Sequence, residues 1–302
     1  MPPLFNPCMN RRRLLQSALL LSAFPALAEQ KAAPRVVSLF QGATDSLVAL
    51  GVRPCGIVES WAEKPVYHYL RHALDGVPLV GLETQPSLEK IVLLKPDVIV
   101  ASRFRHQQIA PLMEKIAPVV MLEDIFEFKL TLATLAEKLQ MQSAAAAILH
   151  HWQTRSDRIR ETLRQRFGQQ WPPQVSVIEV RPDHIRSYVA GSFPGGVMSE
   201  LGFTWNESAR QTTSPSLRFS NMESLPVLDA DLFFILLRAQ SPAIERQYQT
   251  LRNHPLWQQL RAVKQGQVWQ VDSVPWSLSG GILGASLMLG DIERHLLGGE
   301  TE

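Results

Sequence analysis

Residues 87–98 of this chain read SLEKIVLLKPDV, and residues 221–232 read NMESLPVLDADL. The two stretches lie 134 positions apart, and their alignment pairs Glu89 with Glu223. In each copy a polar residue precedes a short apolar segment of helical spacing, and a turn follows it. The chain therefore contains the same short helix–turn unit twice.

Each copy continues in the same order, with an aspartate, an apolar run and an arginine. These are Asp97, Val98–Val100 and Arg103 in the first copy, and Asp231, Leu232–Leu237 and Arg238 in the second. Continuous apolar runs of this kind are typical of buried parallel strands. Two similar α/β units predict two lobes with a cleft between them, an architecture suited to the capture of a ligand.

The segment between the two units is predicted to be helical and stiff. Between Pro118 and Gly168 there is neither glycine nor proline, and apolar residues recur at helical spacing. Ser143 is placed to cap a second helical stretch of roughly 25 residues, or about 37 Å. Such a helix would act as a strut between the lobes. The alternative is a two-helix packing unit within one lobe.

The expected fold class is α/β, with two Rossmann-like lobes on central parallel-type sheets, joined by one long rigid α-helix. Its parts are a signal peptide at 1–28, an N-terminal lobe at 29–125, a helical connector at 126–170 and a C-terminal lobe at 171–302. Three local expectations bear on the site: a loop at Gln41–Thr44, a helix at Asp45–Leu50 and a loop at Arg181–Arg186.

The first 28 residues have the features of an export signal. Three arginines, Arg11 to Arg13, precede an apolar stretch that is too short to span a bilayer, and Ala26-Leu27-Ala28 forms a cleavage site. The paired arginines followed by two leucines favour the twin-arginine route over the general secretory one. Cys8 precedes the apolar stretch, which argues against lipid attachment. We expect a soluble periplasmic protein cleaved after Ala28.

Composition narrows the function further. Three of the 30 basic residues and none of the 28 acidic ones lie in the signal, which leaves 27 basic against 28 acidic residues after cleavage. That balance gives no reason to expect nucleic acid as a partner. Of the two cysteines only Cys55 survives cleavage, so no internal disulfide or thiolate metal cluster is expected.

Several motifs together resemble the periplasmic substrate-binding proteins of ABC importers for iron–siderophores and cobalamin, above all the ferric hydroxamate- and ferric citrate-binding proteins. They span most of the mature chain in the order and spacing of that family. They are RVVSL at 35–39, GLETQPSLE at 81–89, LKPDVIV at 94–100, IAP at 116–118, HPLW at 254–257 and VPW at 274–276.

The resemblance implies that the ligand lies in a shallow cleft between two lobes joined by a rigid helix. It also implies that one glutamate on each lobe docks onto arginines of the membrane permease, and by position these are Glu89 and Glu223. Two carboxylates at equivalent places can meet two matched cations only when the lobes are correctly spaced. The alternative is that each glutamate only supports the N-terminus of its helix.

The ligand is expected at the carboxyl ends of the strands, where the loops are rich in arginine. Guanidinium groups bind carboxylates and the oxygen shell of an anionic iron chelate, although a single arginine is more often a solvated surface charge. The candidates are Arg103, Arg105, Arg181, Arg186, Arg218 and Arg238, with His106 beside the first pair.

Three aromatic residues complete the candidate site. Trp276 aligns with an aromatic wall position of the ferric hydroxamate-binding proteins, and its alternative is a residue of the core. Trp61 and Tyr67 lie in a loop that could face the cleft. Trp152, Trp171 and Trp257 are expected to pack in the core.

Departures from the hydroxamate pattern indicate a more anionic ligand. Glu83 stands where those proteins have a ligand-holding arginine, Arg105 stands in place of a tyrosine, and no cleft tryptophan occurs near Pro215–Arg218. The expected ligand is an iron(III)–siderophore complex, with a citrate-like, carboxylate or mixed siderophore competing with a trihydroxamate. No permanently bound cofactor is expected, and the protein is expected to act as a monomer.

Three other functions are open to the sequence. Cobalamin or haem could be the cargo of this family. His68 and His72, spaced i and i+4, could bind a bare metal. A serine between glycines at Gly191–Gly196 could be the nucleophile of a hydrolase. The strand-to-helix elbow pattern of such enzymes is absent, however, and the segment fits a turn that opens a helix.

Overall fold

The computed structural model describes residues 34–298. The predicted signal peptide, its cleavage site and Cys8 lie outside these residues. The strands are β1 (Val36–Ser38), β2 (Gly56–Glu59), β3 (Leu79–Leu82), β4 (Gln85–Pro86), β5 (Val98–Ser102), β6 (Val119–Leu122), β7 (Val175–Val180), β8 (Ile185–Tyr188), β9 (Ser216–Phe219), β10 (Leu232–Leu237) and β11 (Val268–Val271).

Helices connect and cover these strands. They are α1 (Gln41–Ala49), α2 (Arg71–Leu74), α3 (Leu88–Leu94), α4 (Arg103–His106), α5 (Ala110–Met113), α6 (Phe128–Lys138), α7 (Gln142–Phe167), α8 (Phe193–Glu200), α9 (Glu207–Gln211), α10 (Pro242–Asn253), α11 (Pro255–Gln259), α12 (Arg261–Lys264) and α13 (Ile282–Leu297). A 3₁₀ helix spans Met222–Leu228, and a π-helical turn spans Val274–Leu278.

The strands form two sheets. The first has the order β4-β3-β2-β1-β5-β6, and all its pairs are parallel except β3 with β4. The second has the order β11-β10-β7-β8-β9; β11, β10 and β7 are parallel, whereas β8 and β9 are antiparallel to their neighbours. The α/β class is confirmed, but the second sheet is mixed, because Arg181–Arg186 turns directly into β8 instead of forming a longer loop.

The sequence repeat is a structural repeat. Ser87 caps the amide of Lys90 at the start of α3, and Asn221 caps the amide of Ser224 at the start of the 3₁₀ helix. Each repeat aspartate then accepts a hydrogen bond from the backbone just before the first strand of its sheet. Asp97 accepts from the amide of Arg35, and Asp231 accepts from the amide of Gln174, both at 2.8 Å. These bonds lie at the starts of two adjacent parallel strands in each sheet, β1 and β5 in the first and β7 and β10 in the second.

The predicted long helix is α7, which has 26 residues and is about 39 Å long at the usual rise per residue. It begins after Met141 without a side-chain cap, so Ser143 does not play the predicted role. α7 packs against both α6 and α13. No helix within residues 34–298 combines the length and apolar character needed to cross a membrane. We propose residue 125 as the end of the first lobe and residue 171 as the start of the second.

One hydrophobic core runs continuously from the first sheet to the second. It joins Val36 and Val100 of the first sheet to Val175 and Phe234 of the second, through residues of α6, α7 and α13. Separate clusters cover the outer faces of the second and the first sheet. The two lobes are therefore joined by packed apolar side chains as well as by α7, which opposes large relative movement.

A buried carboxylate joins the lobes at the centre of this core. Asp45 of α1 is fully buried, and it accepts hydrogen bonds from the amides of Leu283 and Gly284 at 2.8 and 3.0 Å. These are amides of the first turn of α13, so an aspartate from the first lobe caps a helix that follows the second sheet. The Tyr69 hydroxyl donates a third bond at 2.7 Å.

Two glycines allow this close approach. A Cβ at Gly281, the residue before α13, would lie 2.3 Å from an Asp45 carboxylate oxygen, and one at Gly42 would lie 2.3 Å from the carbonyl oxygen of Gly280. The expected loop at Gln41–Thr44 is wrong, since α1 begins at Gln41. Gly42 leaves room for the first turn of α1 to lie against the backbone of Gly280, just before α13.

The capping carboxylate makes stability depend on pH. Burial raises the pKa of Asp45 from its usual 3.8 to about 6, and its three hydrogen bonds offset part of that cost. Folding therefore takes up a proton between these values, and the free energy of unfolding falls as the pH rises from about 4 to 6.5. Asp45→Asn removes this titration. In denaturant unfolding, we expect the stability difference between wild type and variant to shrink by up to about 3 kcal/mol across that interval. A constant difference would contradict this assignment.

Candidate ligand-binding cleft

The carboxyl ends of the parallel strands in the two sheets border one cleft. Trp61, Glu83 and Arg105 follow strands of the first sheet, and Arg181 and Arg238 directly follow β7 and β10 of the second. A cavity of about 1120 Å³ opens between the lobes. Its lining includes Trp61, Glu63 and His68 from the first lobe and Arg238, Glu245 and Asp272 from the second, and it does not include Arg105 or Arg181. The cavity thus marks where the two strand edges face one another.

The first wall of the cleft is organised by Glu83, the residue that follows β3. Its side chain is almost completely buried, and one oxygen accepts a hydrogen bond from Arg105 Nε at 2.5 Å. The other oxygen accepts from Trp61 Nε1 at 3.2 Å and from the amide of Gln41 at 3.3 Å. The Arg105 guanidinium also lies 4.9 Å from the centre of the Trp61 ring. Burial raises the pKa of Glu83, and the adjacent Arg105 partly offsets that rise.

His106 supports this arrangement from below. Its Nδ1 accepts the amide hydrogen of Ser102 at 3.1 Å, so the proton lies on Nε2, which donates to the carbonyl of Glu83 at 2.7 Å. Burial lowers the pKa of His106, which keeps the ring neutral. The residue therefore aligns the Glu83 backbone with β5 and is inaccessible to a ligand.

The second wall is organised by Glu179 on β7, which is completely buried. Arg181 Nε donates to one Glu179 oxygen at 2.5 Å, and Arg238 Nη1 lies 3.9 Å from the other. The Ser277 hydroxyl donates to that second oxygen at 3.5 Å. Two guanidinium groups from adjacent strands therefore share one carboxylate, which leaves an excess of positive charge at this edge of the sheet.

Two further arginines extend this wall across the antiparallel strands. Arg186 on β8 lies opposite Glu179 on β7 and opposite Arg218 on β9. The Arg186 Nε is buried and has no hydrogen-bond partner among the described residues, so it is available to an added acceptor. Arg218 is exposed and pairs with the exposed Asp183 at 3.1 Å. Arg186 thus belongs to the cationic wall, and Arg218 lies at its outer margin.

The structure overturns two of the predicted aromatic contacts. Trp276 is completely buried, stacks on Phe234 with 4.6 Å between ring centres, and donates from Nε1 to Asp291 at 2.8 Å. Tyr67 is also completely buried, and its hydroxyl donates to the carbonyl of Leu278 at 3.1 Å. Both side chains fill the core between the lobes, because each has an apolar ring and one internal partner for its polar atom. Trp61, in contrast, is 39 % exposed and borders the cavity.

Arg103 forms a surface ion pair. Its Nε and its Nη2 both donate to Glu123, the latter at 2.6 Å, and both side chains are exposed. His68 is also exposed, with Nδ1 3.1 Å from Glu63. Neither His68 nor His72 joins a group of three or more metal-binding side chains within residues 34–298. A bare metal site therefore receives no support from the arrangement of these side chains.

Sequence reasoning missed Glu179, the residue that organises the second wall. Glu179 lies between Ile178 and Val180 in β7, whose six residues are all buried. A charged residue in a fully buried strand requires a partner, and two arginines follow the ends of β7 and β10. That combination was the signal for an organised cationic site.

Two α/β sheets whose strand ends border one cleft place the chain in the class of proteins that capture a ligand between two lobes. This chain belongs to the periplasmic binding protein family, whose sequence profile matches residues 36–275. It is 58 % identical to the achromobactin-binding periplasmic protein of Dickeya dadantii over 291 residues, and this alignment covers 95 % of each chain. It is 34 % identical to the probable siderophore-binding lipoprotein YfiY of Bacillus subtilis, over 87 % of this chain and 82 % of that one.

Solved structures agree with this assignment. Staphylococcus aureus SirA complexed with staphyloferrin B superposes with a TM-score of 0.84 at 33 % identity, over 88 % of this chain and 94 % of that one. These relatives confirm the resemblance to periplasmic siderophore-binding proteins that the sequence motifs indicate.

Proposed function

We propose that this protein captures the ferric complex of an anionic, carboxylate-bearing siderophore in its cleft and delivers it to an ABC permease in the inner membrane. It acts as a single exported chain in the periplasm. The observation that carries the proposal is the set of arginines at the strand ends of the two sheets, with Arg105 beside Trp61 on one lobe and Arg181 and Arg238 beside Glu179 on the other.

The side chains of this cleft suit an anionic chelate. Arginine donates planar, charge-assisted hydrogen bonds that match carboxylate oxygens, and Trp61 adds apolar contact for the carbon framework. A neutral trihydroxamate would use the aromatic surface more than the arginines. Two aromatic side chains that were expected to provide this surface, Trp276 and Tyr67, are buried. The arginines at the strand ends, with Trp61 beside them as the one exposed tryptophan within residues 34–298, therefore favour a negatively charged ligand over a trihydroxamate, cobalamin or haem.

The ligands of two relatives give the first compounds to test. The relative from Dickeya dadantii is named for achromobactin, and SirA was crystallised with staphyloferrin B. We infer that the ligand of this chain belongs to the same chemical group as one of these two, because the similarity to both proteins covers most of the chain.

The surroundings of Ser192, the candidate nucleophile of a hydrolase, fit a protein that binds its ligand without a chemical reaction. Ser192 is buried, and its hydroxyl donates to the carbonyl of Val189 at 2.6 Å and accepts from the amide of Gly195 at 3.1 Å. The second bond caps the N-terminus of α8, so the hydroxyl is engaged in starting a helix. The family consists of binding proteins, and we propose that this member also releases its ligand unchanged.

A pair of matched variants tests the role of the cleft arginines. Arg105→Lys keeps the charge beside Glu83 but loses the planar guanidinium. Loss of one or more charge-assisted hydrogen bonds should weaken the binding of ferric achromobactin by about 10- to 150-fold. Arg103→Lys is the control, because Arg103 lies on the same short helix and is engaged with Glu123; its affinity should stay within about threefold of wild type. Tryptophan fluorescence titration measures both.

The same titration on the wild type tests the class of ligand. The panel is ferric achromobactin, ferric staphyloferrin B, ferric dicitrate, a ferric trihydroxamate and cobalamin, each beside its iron-free form where one exists. Saturable binding of the carboxylate complexes alone supports the proposal. Tighter binding of the trihydroxamate or of cobalamin than of any carboxylate complex would overturn it.

Docking on the permease is proposed to use Glu89 and Glu223, which are exposed at equivalent positions of the structural repeat. Three and four residues after Glu89 come the exposed side chains of Val92 and Leu93, and three and four after Glu223 come Pro226 and Val227. Each lobe therefore presents a carboxylate beside an exposed apolar pair, which suits a partner surface with two matched arginines.

Charge reversal at both docking positions separates transport from capture. Glu89→Arg/Glu223→Arg should reduce siderophore-dependent iron uptake by cells about tenfold or more, because like charges would then face each other. Ligand affinity of the purified variant should not change. Glu114→Arg/Glu137→Arg, a reversal at two other exposed positions, is the control and should transport normally. Uptake by the double variant at the control rate would refute the docking role.

A further inference from the structure

Two arginines of the cleft, one on each lobe, are held in the same way. Arg105 donates its Nε to Glu83 at 2.5 Å, and Arg181 donates its Nε to Glu179 at 2.5 Å. Both carboxylates are buried, with side-chain exposures of 2 % and 0 %, whereas the two arginines keep exposures of 24 % and 23 %. In each pair the carboxylate that accepts the bond therefore lies inside the protein, and the guanidinium that donates it lies partly at the surface.

Bonding through Nε decides where the rest of the guanidinium points. The group is planar, so a partner on Nε leaves both N–H groups of Nη1 and one N–H group of Nη2 pointing away from that partner. Neither the Nη atoms of Arg105 nor those of Arg181 have a second carboxylate partner among residues 34–298. Arg103 shows the opposite case, because Glu123 takes both its Nε and its Nη2. No second carboxylate of the described residues therefore takes the terminal nitrogens of Arg105 or Arg181, and the neutral Tyr188 hydroxyl is the polar neighbour of the Arg181 guanidinium.

We propose that Glu83 and Glu179 are positioning residues for the ligand, which hold Arg105 and Arg181 through Nε and so present the terminal nitrogens of each guanidinium to an oxygen ligand in the cleft. This inference rests on the proposed function and extends it to residues that do not touch the siderophore. The favourable effect on affinity comes from preorganisation, since an arginine that is already oriented loses less side-chain freedom on binding.

The proposal makes a prediction opposite in sign to that of simple electrostatics. Each glutamate puts a negative charge close to the expected position of an anionic ligand. If the carboxylates only compensated the arginine charge, Glu→Gln would make the cleft more positive and tighten binding. If they position the arginines, Glu→Gln removes the charge-assisted bond to Nε, and binding weakens despite the gain in positive charge.

The experiment is calorimetric titration of the mature protein with ferric achromobactin or ferric staphyloferrin B. Glu179→Gln and Glu83→Gln are close in shape to the natural side chains. We expect each to raise Kd by about tenfold or more, mainly through faster dissociation, with one ligand still bound per folded chain. Glu123→Gln is the matched control. It removes the same charge at the same edge of the first sheet but leaves Arg105 held, so its Kd should equal the wild-type value or fall slightly.

The number of ligands bound per chain distinguishes a variant that no longer folds from a variant whose arginine is no longer oriented. A variant that merely folds poorly would bind less ligand per chain at unchanged Kd, and the second glutamate provides an independent trial in the other lobe. Unchanged or tighter Kd for both variants, with full stoichiometry, overturns the positioning role while leaving the proposed function intact. Failure of the wild type to bind any ferric carboxylate siderophore overturns the proposed function and this inference with it.

Discussion

The contact on which the arrangement of the two lobes depends is the capping of α13 by Asp45. A carboxylate of the first lobe accepts the first free amides of a helix that follows the second sheet. It is fully buried, so its ionised form is costly, and only the hydrogen bonds of Leu283, Gly284 and Tyr69 offset that cost. Gly281 leaves space for the carboxylate where a side chain would collide with it. A bond with so many geometric requirements can form in few relative positions of the lobes.

A fixed joint explains how a shallow cleft can bind selectively. The continuous core across α6, α7 and α13 leaves little freedom for closure, so the binding groups must already be oriented before the ligand arrives. Buried glutamates hold arginines on both walls, and His106 aligns the backbone of Glu83. The cleft thereby keeps its positive charge and gives each guanidinium a direction. The same rigidity would keep Glu89 and Glu223 at a constant separation, as the proposed two-point contact with the permease requires.

How far the sequence predicts this structure depends on whether the signal is local. The repeat predicted the α/β units, and its two apolar runs form β5 and β10, because continuous apolar runs end at clear turns. α10 was missed: it has an amphipathic pattern with few apolar residues. Trp276 was misplaced because family position suggested a cleft wall, whereas Asp291, which satisfies its indole nitrogen inside the core, lies 15 residues away. Asp45 was not recognised, since its partners Tyr69, Leu283 and Gly284 come from distant segments.

Hydrogen exchange at the amides of Leu283 and Gly284 in the ligand-free protein tests the central claim most directly. Both amides donate to Asp45, so they can exchange only when the joint between the lobes opens. If the lobes are held in one arrangement, these amides exchange as slowly as those of the central strand β10, through global unfolding, and ligand slows both groups equally. Much faster exchange than in β10, suppressed selectively by ferric siderophore, would show that the lobes separate before binding and would contradict a preorganised cleft.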